Sequence, residues 1–131
     1  MPAMLMDHGD TDPAQELRDK IGFIDDVEIP RNSVLLAIYL MPEKTKSGIL
    51  LHHETRDENL YQGKACLVVK KGPIAFQDEE KYKFHGFNPK LGDWVVIRPS
   101  DGLKLDLNKV RCVLIADTSI KAVIPSPDVV W

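Results

Sequence analysis

The sequence predicts an all-β fold, a small and partly open β-barrel or sandwich that begins at residue 29. From there on, short runs rich in Val, Ile and Leu alternate with Gly, Pro, Asn and Asp, which is the pattern of strands joined by turns. The 131 residues are 44% hydrophobic and 28% charged. This is an ordinary composition for one domain that buries its own core without a disulfide or a metal.

Six runs have the length and β-branched content of strands. The runs LKLDL and IKAVI alternate apolar and polar residues, as a half-exposed strand does, whereas VVI and CVLI are continuous, as expected for a strand covered on both faces. The predicted strands span residues 33–41, 63–71, 93–98, 103–107, 110–117 and 120–124.

An acidic segment, residues 1–28, precedes the strands. It holds eight acidic and two basic residues, a net charge of −6, whereas the remainder carries a net charge of +3. One short helix is predicted over residues 12–21, with Asp12 as its N-cap, Pro13 in the first helical position and Gly22 after its end. Because its apolar content is thin, the segment is expected to be an extension, either flexible or docked on a neighbour. The predicted organisation is this extension, a barrel over residues 29–124 and a tail over residues 125–131.

The connection over residues 42–61 is long for a compact domain, which indicates a functional or disordered segment. Three consecutive aliphatic residues, Ile49, Leu50 and Leu51, stand alone within its polar sequence. If exposed, each offers a partner about 1.5 to 3 kcal/mol of burial, offset by the cost of ordering the loop. Two interpretations remain open: a weak, reversible anchor for a partner, or a short strand over residues 48–51 that covers the barrel.

A second long connection spans residues 72–92 and is charged and aromatic. It is a candidate for a hairpin of its own, with residues 78–81 as the solvated tip. Four aromatic side chains are expected to pack together across such a hairpin: Phe76, Tyr82, Phe84 and Phe87.

No catalytic motif is present, and the sequence predicts neither an enzyme nor a metal or cofactor site. His52 and His53 are adjacent, so on an extended chain their side chains point in opposite directions. His8 and His85 have no companion at ligand spacing. Cys66 and Cys112 each lie in an apolar run, which favours two buried thiols over a disulfide.

The distribution of charge and hydropathy argues against two kinds of partner. Lys and Arg are spread along the chain without the clustering that a phosphate-binding surface requires, so nucleic acid is not expected as a partner. No apolar stretch approaches the roughly 18 residues of a membrane helix, and the opening residues are too acidic for a signal peptide. A cytoplasmic protein without a membrane partner is therefore expected.

The order of the motifs resembles the GroES-like co-chaperonin family, which caps the chaperonin folding cage. In that family a first strand leads into a mobile loop with T-K-S, Gly and an aliphatic triplet, then a strand that begins with Gly, a K-V-G-D-x-V-x-F strand and a closing V-L-I and D-I-L-A-I-V segment. The resemblance covers about residues 29–124. The matching runs here are residues 45–51 (TKSGILL), 63–69 (GKACLVV), 90–97 (KLGDWVVI), 113–115 (VLI) and 120–124 (IKAVI).

The resemblance implies a GroES-like β-barrel subunit with a long mobile loop, which forms a homo-oligomer, a seven-membered ring. Its mobile-loop residues Gly48, Ile49, Leu50 and Leu51 would bind an apolar groove on the apical domains of a GroEL-like chaperonin. Residues 73–87 correspond to the family's roof hairpin, which would partly cover the cage. The subunit itself would hydrolyse nothing and would need no cofactor.

The two ends of the chain depart from the family pattern. The acidic extension and the tail over residues 125–131 suit a phage-encoded or otherwise divergent co-chaperonin. They equally suit a structural protein on the same fold, such as a subunit that decorates and stabilises a phage capsid through its terminal extensions. In that case the protein would belong to the virion rather than the cytoplasm.

Overall fold

The structure is a computed structural model that describes residues 12–39 and 65–127. Within these residues, six strands form one antiparallel sheet in the order β4-β5-β1-β2-β3-β6, with β4 and β6 at its edges. The all-β class is thereby confirmed, and no pairing between the described strands closes the sheet into a barrel. The elements are α1 (Pro13–Ile21), β1 (Ser33–Ile38), β2 (Ala65–Lys71), β3 (Trp94–Val96), β4 (Leu103–Leu107), β5 (Val110–Ala116) and β6 (Ala122–Ile124), with a 3-10 turn (Asp117–Ser119) before β6.

The central strand β1 is buried on both faces, which explains its continuous apolar sequence. On one face, which we call the helix face, Leu35 and Ala37 pack with Leu67 of β2, Cys112 of β5 and residues of α1. The other face, which we call the insert face, takes the alternate side chains of the same strands. It packs against residues of the 72–92 segment, which we call the insert. The buried strand residues of the insert face are Val34, Leu36, Ile38, Cys66, Val68, Val95, Val113 and Ile115.

A β-bulge in β2 sets the faces to which its last residues point. Leu35 pairs with Lys70, but Leu36 pairs with Val68, so that Val69 is the additional residue in β2. Because side chains alternate along a strand, this one-residue insertion moves every residue after it to the opposite face. Lys70 consequently lies on the helix face and Lys71 on the insert face.

Each of these two lysines holds an irregular segment against the sheet. Lys70 donates hydrogen bonds to the carbonyl oxygens of Ile24 and Asp25, at 2.8 and 3.1 Å. Lys71 donates to Asn88 Oδ1 and to the carbonyl oxygen of Pro89, at 3.1 and 3.0 Å. The bulge therefore lets neighbouring residues of one strand tie down both the chain after α1 and the end of the insert.

Helix α1 forms where the sequence predicts it. Asp12 is the N-cap residue, although its side chain makes no capping hydrogen bond, and Pro13 opens the helix. The helix ends at Gly22, whose φ of 67° favours glycine and whose amide donates to the carbonyl oxygen of Arg18. The side-chain amide of Asn108, in the turn between β4 and β5, donates to the carbonyl oxygen of Ile21 and so satisfies a second group at the helix end.

The helix docks on the sheet of its own chain. Ala14, Leu17 and Ile21 recur at helical spacing, and each is at most 5% exposed. Part of the acidic extension thus forms a layer of the core. The few apolar residues of the helix suffice because the sheet supplies the rest of the buried apolar surface. None of the helices in the described residues is long and apolar enough to cross a membrane.

Cys66 and Cys112 are buried and free, as predicted. They lie in the two strands that flank β1, and Cys66 faces the insert whereas Cys112 faces the helix. Burial is the main cause that raises the pKa of the Cys66 thiol to about 12 and that of the Cys112 thiol to about 11. Both thiols are therefore protonated and unreactive at neutral pH.

We expect Leu17→Ala to lower the free energy of unfolding by about 2 to 5 kcal/mol, because it removes a buried side chain from the contact between α1 and the sheet. Urea denaturation followed by circular dichroism measures this change. Gln15→Ala, at an exposed position of the same helix, is the matched control and should stay within about 0.5 kcal/mol of the unsubstituted protein. Equal effects of the two substitutions would contradict the docking of α1.

We also expect the free energy of unfolding to fall as the pH rises from about 9, the ordinary pKa of these thiols, to about 11. In this range the unfolded chain releases the thiol protons while the folded chain retains them, so alkaline solution favours unfolding. Urea denaturation across the range measures the slope, which Cys66→Ala should reduce. A slope that is unchanged by this substitution would show that Cys66 does not contribute.

Candidate functional site

The residues predicted to bind a partner, Gly48, Ile49, Leu50 and Leu51, lie outside the described residues. The same holds for His8, His52 and His53. The structure does describe the two points at which residues 40–64, which we call the loop segment, leave and rejoin the sheet.

The two residues that flank the loop segment are joined by a backbone hydrogen bond. The Tyr39 amide donates to the carbonyl oxygen of Ala65 at 3.0 Å, directly beyond the pairing of Ile38 with Cys66. Tyr39 and Ala65 are 5% and 6% exposed, so both residues that flank the loop segment are held in the core. The loop segment therefore connects adjacent positions of the β1–β2 pair.

An aromatic pair supports this base. The rings of Tyr39 and Trp94 are edge to face, with centroids 5.7 Å apart and planes at 86°. Trp94 pairs with Leu67 in the sheet and belongs to the same core cluster as the buried residues of α1. Such ring pairs contribute about 0.5 to 1.5 kcal/mol beyond the area they bury. The attachment of the loop segment is thus fixed by packing as well as by the strand pair.

The insert leaves the sheet at the other end of β2, after Lys71. At about 3.3 Å per residue, the seven residues of β2 separate the insert from the base of the loop segment by roughly 20 Å. The insert and the base of the loop segment consequently lie at opposite ends of the same pair of strands.

The aromatic side chains of the insert pack together as predicted. Ring centroids of Phe76 lie 5.7 Å from Phe84 and 6.1 Å from Phe87, and those of Tyr82 and Phe84 are 4.9 Å apart. The insert has no paired strands, in contrast to the predicted hairpin, and a hydrogen bond from the Glu79 amide to the carbonyl oxygen of Tyr82 closes its tip. Turns and ring contacts therefore hold the insert in place of the hydrogen-bonded strands of a hairpin. The aromatic cluster packs onto the sheet through Phe76.

A buried carboxylate fixes Phe76 in place. Asp117, 3% exposed, is the buried charged residue found among the described residues. Its Oδ2 accepts a hydrogen bond from the Phe76 amide at 2.9 Å, and its Oδ1 accepts one from Asn32 Nδ2 at 3.0 Å. The Asp117 amide in turn donates to the carbonyl oxygen of Asn32 at 3.0 Å. This group of three residues, which we call the Asp117 clasp, joins the insert to the chain before β1 and the chain after β5.

Gly72 brings the start of the insert close to the chain before β1. Its amide donates to the carbonyl oxygen of Ser33 at 2.8 Å, and a methyl group at this position would overlap the backbone oxygen atoms of Pro30 and Arg31. Glycine is therefore required for the insert to turn off β2 at this point.

The described residues contain no group of three or more His, Cys, Asp or Glu side chains that could hold a metal ion. His85 is exposed on the insert. The buried thiols of Cys66 and Cys112 are protonated at neutral pH and make poor nucleophiles. The described residues thus show two places where the chain departs from the sheet, the base of the loop segment and the start of the insert, one at each end of the β1–β2 pair.

Sequence reasoning missed the Asp117 clasp. Asp117 reads as the last residue of a strand, and its partners lie 41 and 85 residues away along the chain. The signal in the sequence was a charged residue at the end of an otherwise apolar strand, immediately before Thr118 and Ser119.

We expect Asp117→Ala to lower the free energy of unfolding by about 1 to 3 kcal/mol, because the buried donors of Phe76 and Asn32 lose their acceptor. Amide hydrogen exchange over residues 73–87 should also become faster. Asp106→Ala is the matched control, since its carboxylate is 63% exposed and pairs with Arg111 at the surface. Exchange in the insert that is unchanged by Asp117→Ala would show that the clasp does not hold it.

The chain matches no protein-family model. No curated protein matches it either.

Proposed function

We propose that the chain is a co-chaperonin subunit that forms a ring and caps a chaperonin folding cage. Residues Ile49, Leu50 and Leu51 are the contact with the apical domains of the chaperonin. The proposal rests on the order of motifs in the sequence, above all TKSGILL between the first two strands.

The structural observation that supports this motif-based proposal is the base of the loop segment. The motif-bearing residues 40–64 connect Tyr39 and Ala65, which are joined by one hydrogen bond and buried beside Trp94. A fixed base of this kind limits how far the aliphatic triplet can travel and gives every copy in a ring the same point of attachment. This is the geometry that a tethered anchor requires.

The energetics suit a reversible cap. Each aliphatic side chain contributes about 1.5 to 3 kcal/mol when buried, and the ordering of the loop segment cancels part of it. One anchor is therefore weak. Seven anchors on one ring act through effective concentration, so that the ring binds firmly while each contact can still be released.

The position of the insert fits the same function. The insert lies at the end of β2 remote from the loop segment, and the Asp117 clasp and the aromatic cluster hold it there. In a ring that contacts the chaperonin through its loop segments, the insert is on the far side, where it would cover the cage.

Ring assembly needs surfaces between subunits, and the described sheet has two edge strands. Leu103 of β4 is 63% exposed and Val123 of β6 is 45% exposed. Exposed edge strands with apolar side chains favour pairing with another chain. They support a homo-oligomer.

A second candidate is a structural protein on the same fold, such as a capsid-decorating subunit. The observation in its favour is Phe23, which is 74% exposed just after α1 and offers an apolar side chain for a contact through the acidic extension. Since α1 is part of the core, its test is Phe23→Ser rather than deletion of the extension, followed by measurement of incorporation into the capsid. Unchanged incorporation would count against contacts through this part of the extension.

We expect the full chain to co-sediment with a chaperonin in the presence of nucleotide, and Ile49→Asp to abolish this binding because a carboxylate cannot enter an apolar groove without a large desolvation cost. Thr55→Asp places the same charge at a polar position of the loop segment and should still bind. Equal binding of the two variants, or no binding by the unsubstituted chain, would refute the proposal.

Native mass spectrometry separates the two candidates, since a seven-membered ring favours the co-chaperonin and a monomer or trimer favours capsid decoration.

A further inference from the structure

A groove of about 250 Å³ opens on the helix face between the end of α1, the end of β2 and the turn before β3. Apolar side chains and glycines form most of its wall, and Arg18 is its charged residue. Leu91 stands at the groove with 60% of its surface exposed. The lining residues are Arg18, Ile21, Gly22, Ile24, Val68, Val69, Leu91 and Gly92.

The size and chemistry of the groove restrict what can occupy it. Pockets for cofactors and drug-sized ligands usually exceed about 300 Å³, whereas this groove suits a few side chains. Arg18 lies beside Gly92, close to where a Cβ at that position would be, and its guanidinium forms no ion pair with any described residue. The complementary occupant is a short apolar segment that carries one carboxylate.

The topology brings such a segment to the groove. Ile124 of β6 pairs with Trp94 of β3, and the strands are antiparallel. The chain after Ile124 therefore runs toward the sheet end where residues 91–93 precede β3, and Gly92 and Leu91 are groove residues. Pro127, the last described residue, is buried, so the chain is held against the protein at this end.

We propose that residues 128–131, Asp-Val-Val-Trp, dock in this groove of their own chain. The segment has one acidic side chain followed by three apolar side chains, which matches the single cationic side chain and the apolar wall. Four extended residues reach at most about 14 Å beyond Pro127, which limits the tail to surfaces near this end of the sheet. Asp128 pairs with Arg18, and the side chains of residues 129–131 cover Leu91 and Ile24.

Docking within one chain is favoured over docking into a second copy. A segment tethered by a short connection meets its own groove at an effective concentration in the millimolar range, above the usual concentration of a second copy. The inference stands independently of the proposed function, since it uses only the groove, the β3–β6 register and the composition of the tail.

The test uses the full chain labelled with 5-fluorotryptophan, which gives one fluorine resonance for Trp94 and one for Trp131. Trp131→Phe assigns the two resonances. We expect the Trp131 resonance to differ from its position in denaturant, and Leu91→Asp to move it toward that position. Leu103→Asp is the matched control, since Leu103 is 63% exposed at the opposite edge of the sheet, and it should leave the Trp131 resonance in place.

A charge exchange tests the ion pair. Arg18→Glu should shift the ratio of docked to free tail by about two- to fivefold toward the free state, and Arg18→Glu with Asp128→Arg should restore it. A Trp131 resonance at its denatured position in the unsubstituted chain would overturn the proposal, as would equal responses to Leu91→Asp and Leu103→Asp. A resonance that moves on dilution would also overturn it, because it would place the tail in the groove of a second copy.

Discussion

The burial of β1 on both faces is the constraint on which the rest of the structure depends. Residues 34–39 are all at most 5% exposed, so neither face of the sheet can remain open to water at its centre. On one face α1 supplies Leu17 and Ile21, and on the other the insert supplies Phe76. The N-terminal helix and the aromatic insert are therefore required by the same strand. Each is a cover for a surface that the six strands alone would leave exposed.

The bulge at Val69 makes these two covers compatible. Without it, Lys70 and Lys71 would exchange faces, and neither ammonium group would reach the carbonyl oxygens it now binds. The aliphatic part of each lysine side chain lies along the sheet. Its charged group can therefore reach irregular backbone at the end of the sheet. Together with the Asp117 clasp, they provide side-chain hydrogen bonds at the insert end of the β1–β2 pair. The loop end is fixed differently, by the packing of Tyr39 on Trp94.

Local features of the sequence were predicted well, and long-range ones were not. The strand runs and the helix limits at Pro13 and Gly22 follow from periodicity and punctuation within a few residues. The docking of α1 depends on apolar surface that the sheet provides, which the composition of the extension cannot show. Likewise, Asn108 reaches Ile21 across 87 residues and Asn32 reaches Asp117 across 85, and no local pattern marks either pair. The predicted contact residues 48–51 lie outside the described residues, so that their role in partner binding stays a prediction.

The topology does bear on the two interpretations of the aliphatic triplet. A short strand over residues 48–51 would need a free edge, yet β1 already lies between β5 and β2, and β2 lies between β1 and β3. Within the described residues, the strands from which the loop segment departs are thus paired on both sides. Among the described strands, the sheet edges are β4 and β6, two strands away from β1 and β2 respectively, and both faces at the centre of the sheet are covered. A covering strand would have to extend away from its own base to reach an edge. An anchor for a partner needs no such edge, and both interpretations of Ile49, Leu50 and Leu51 stay predictions.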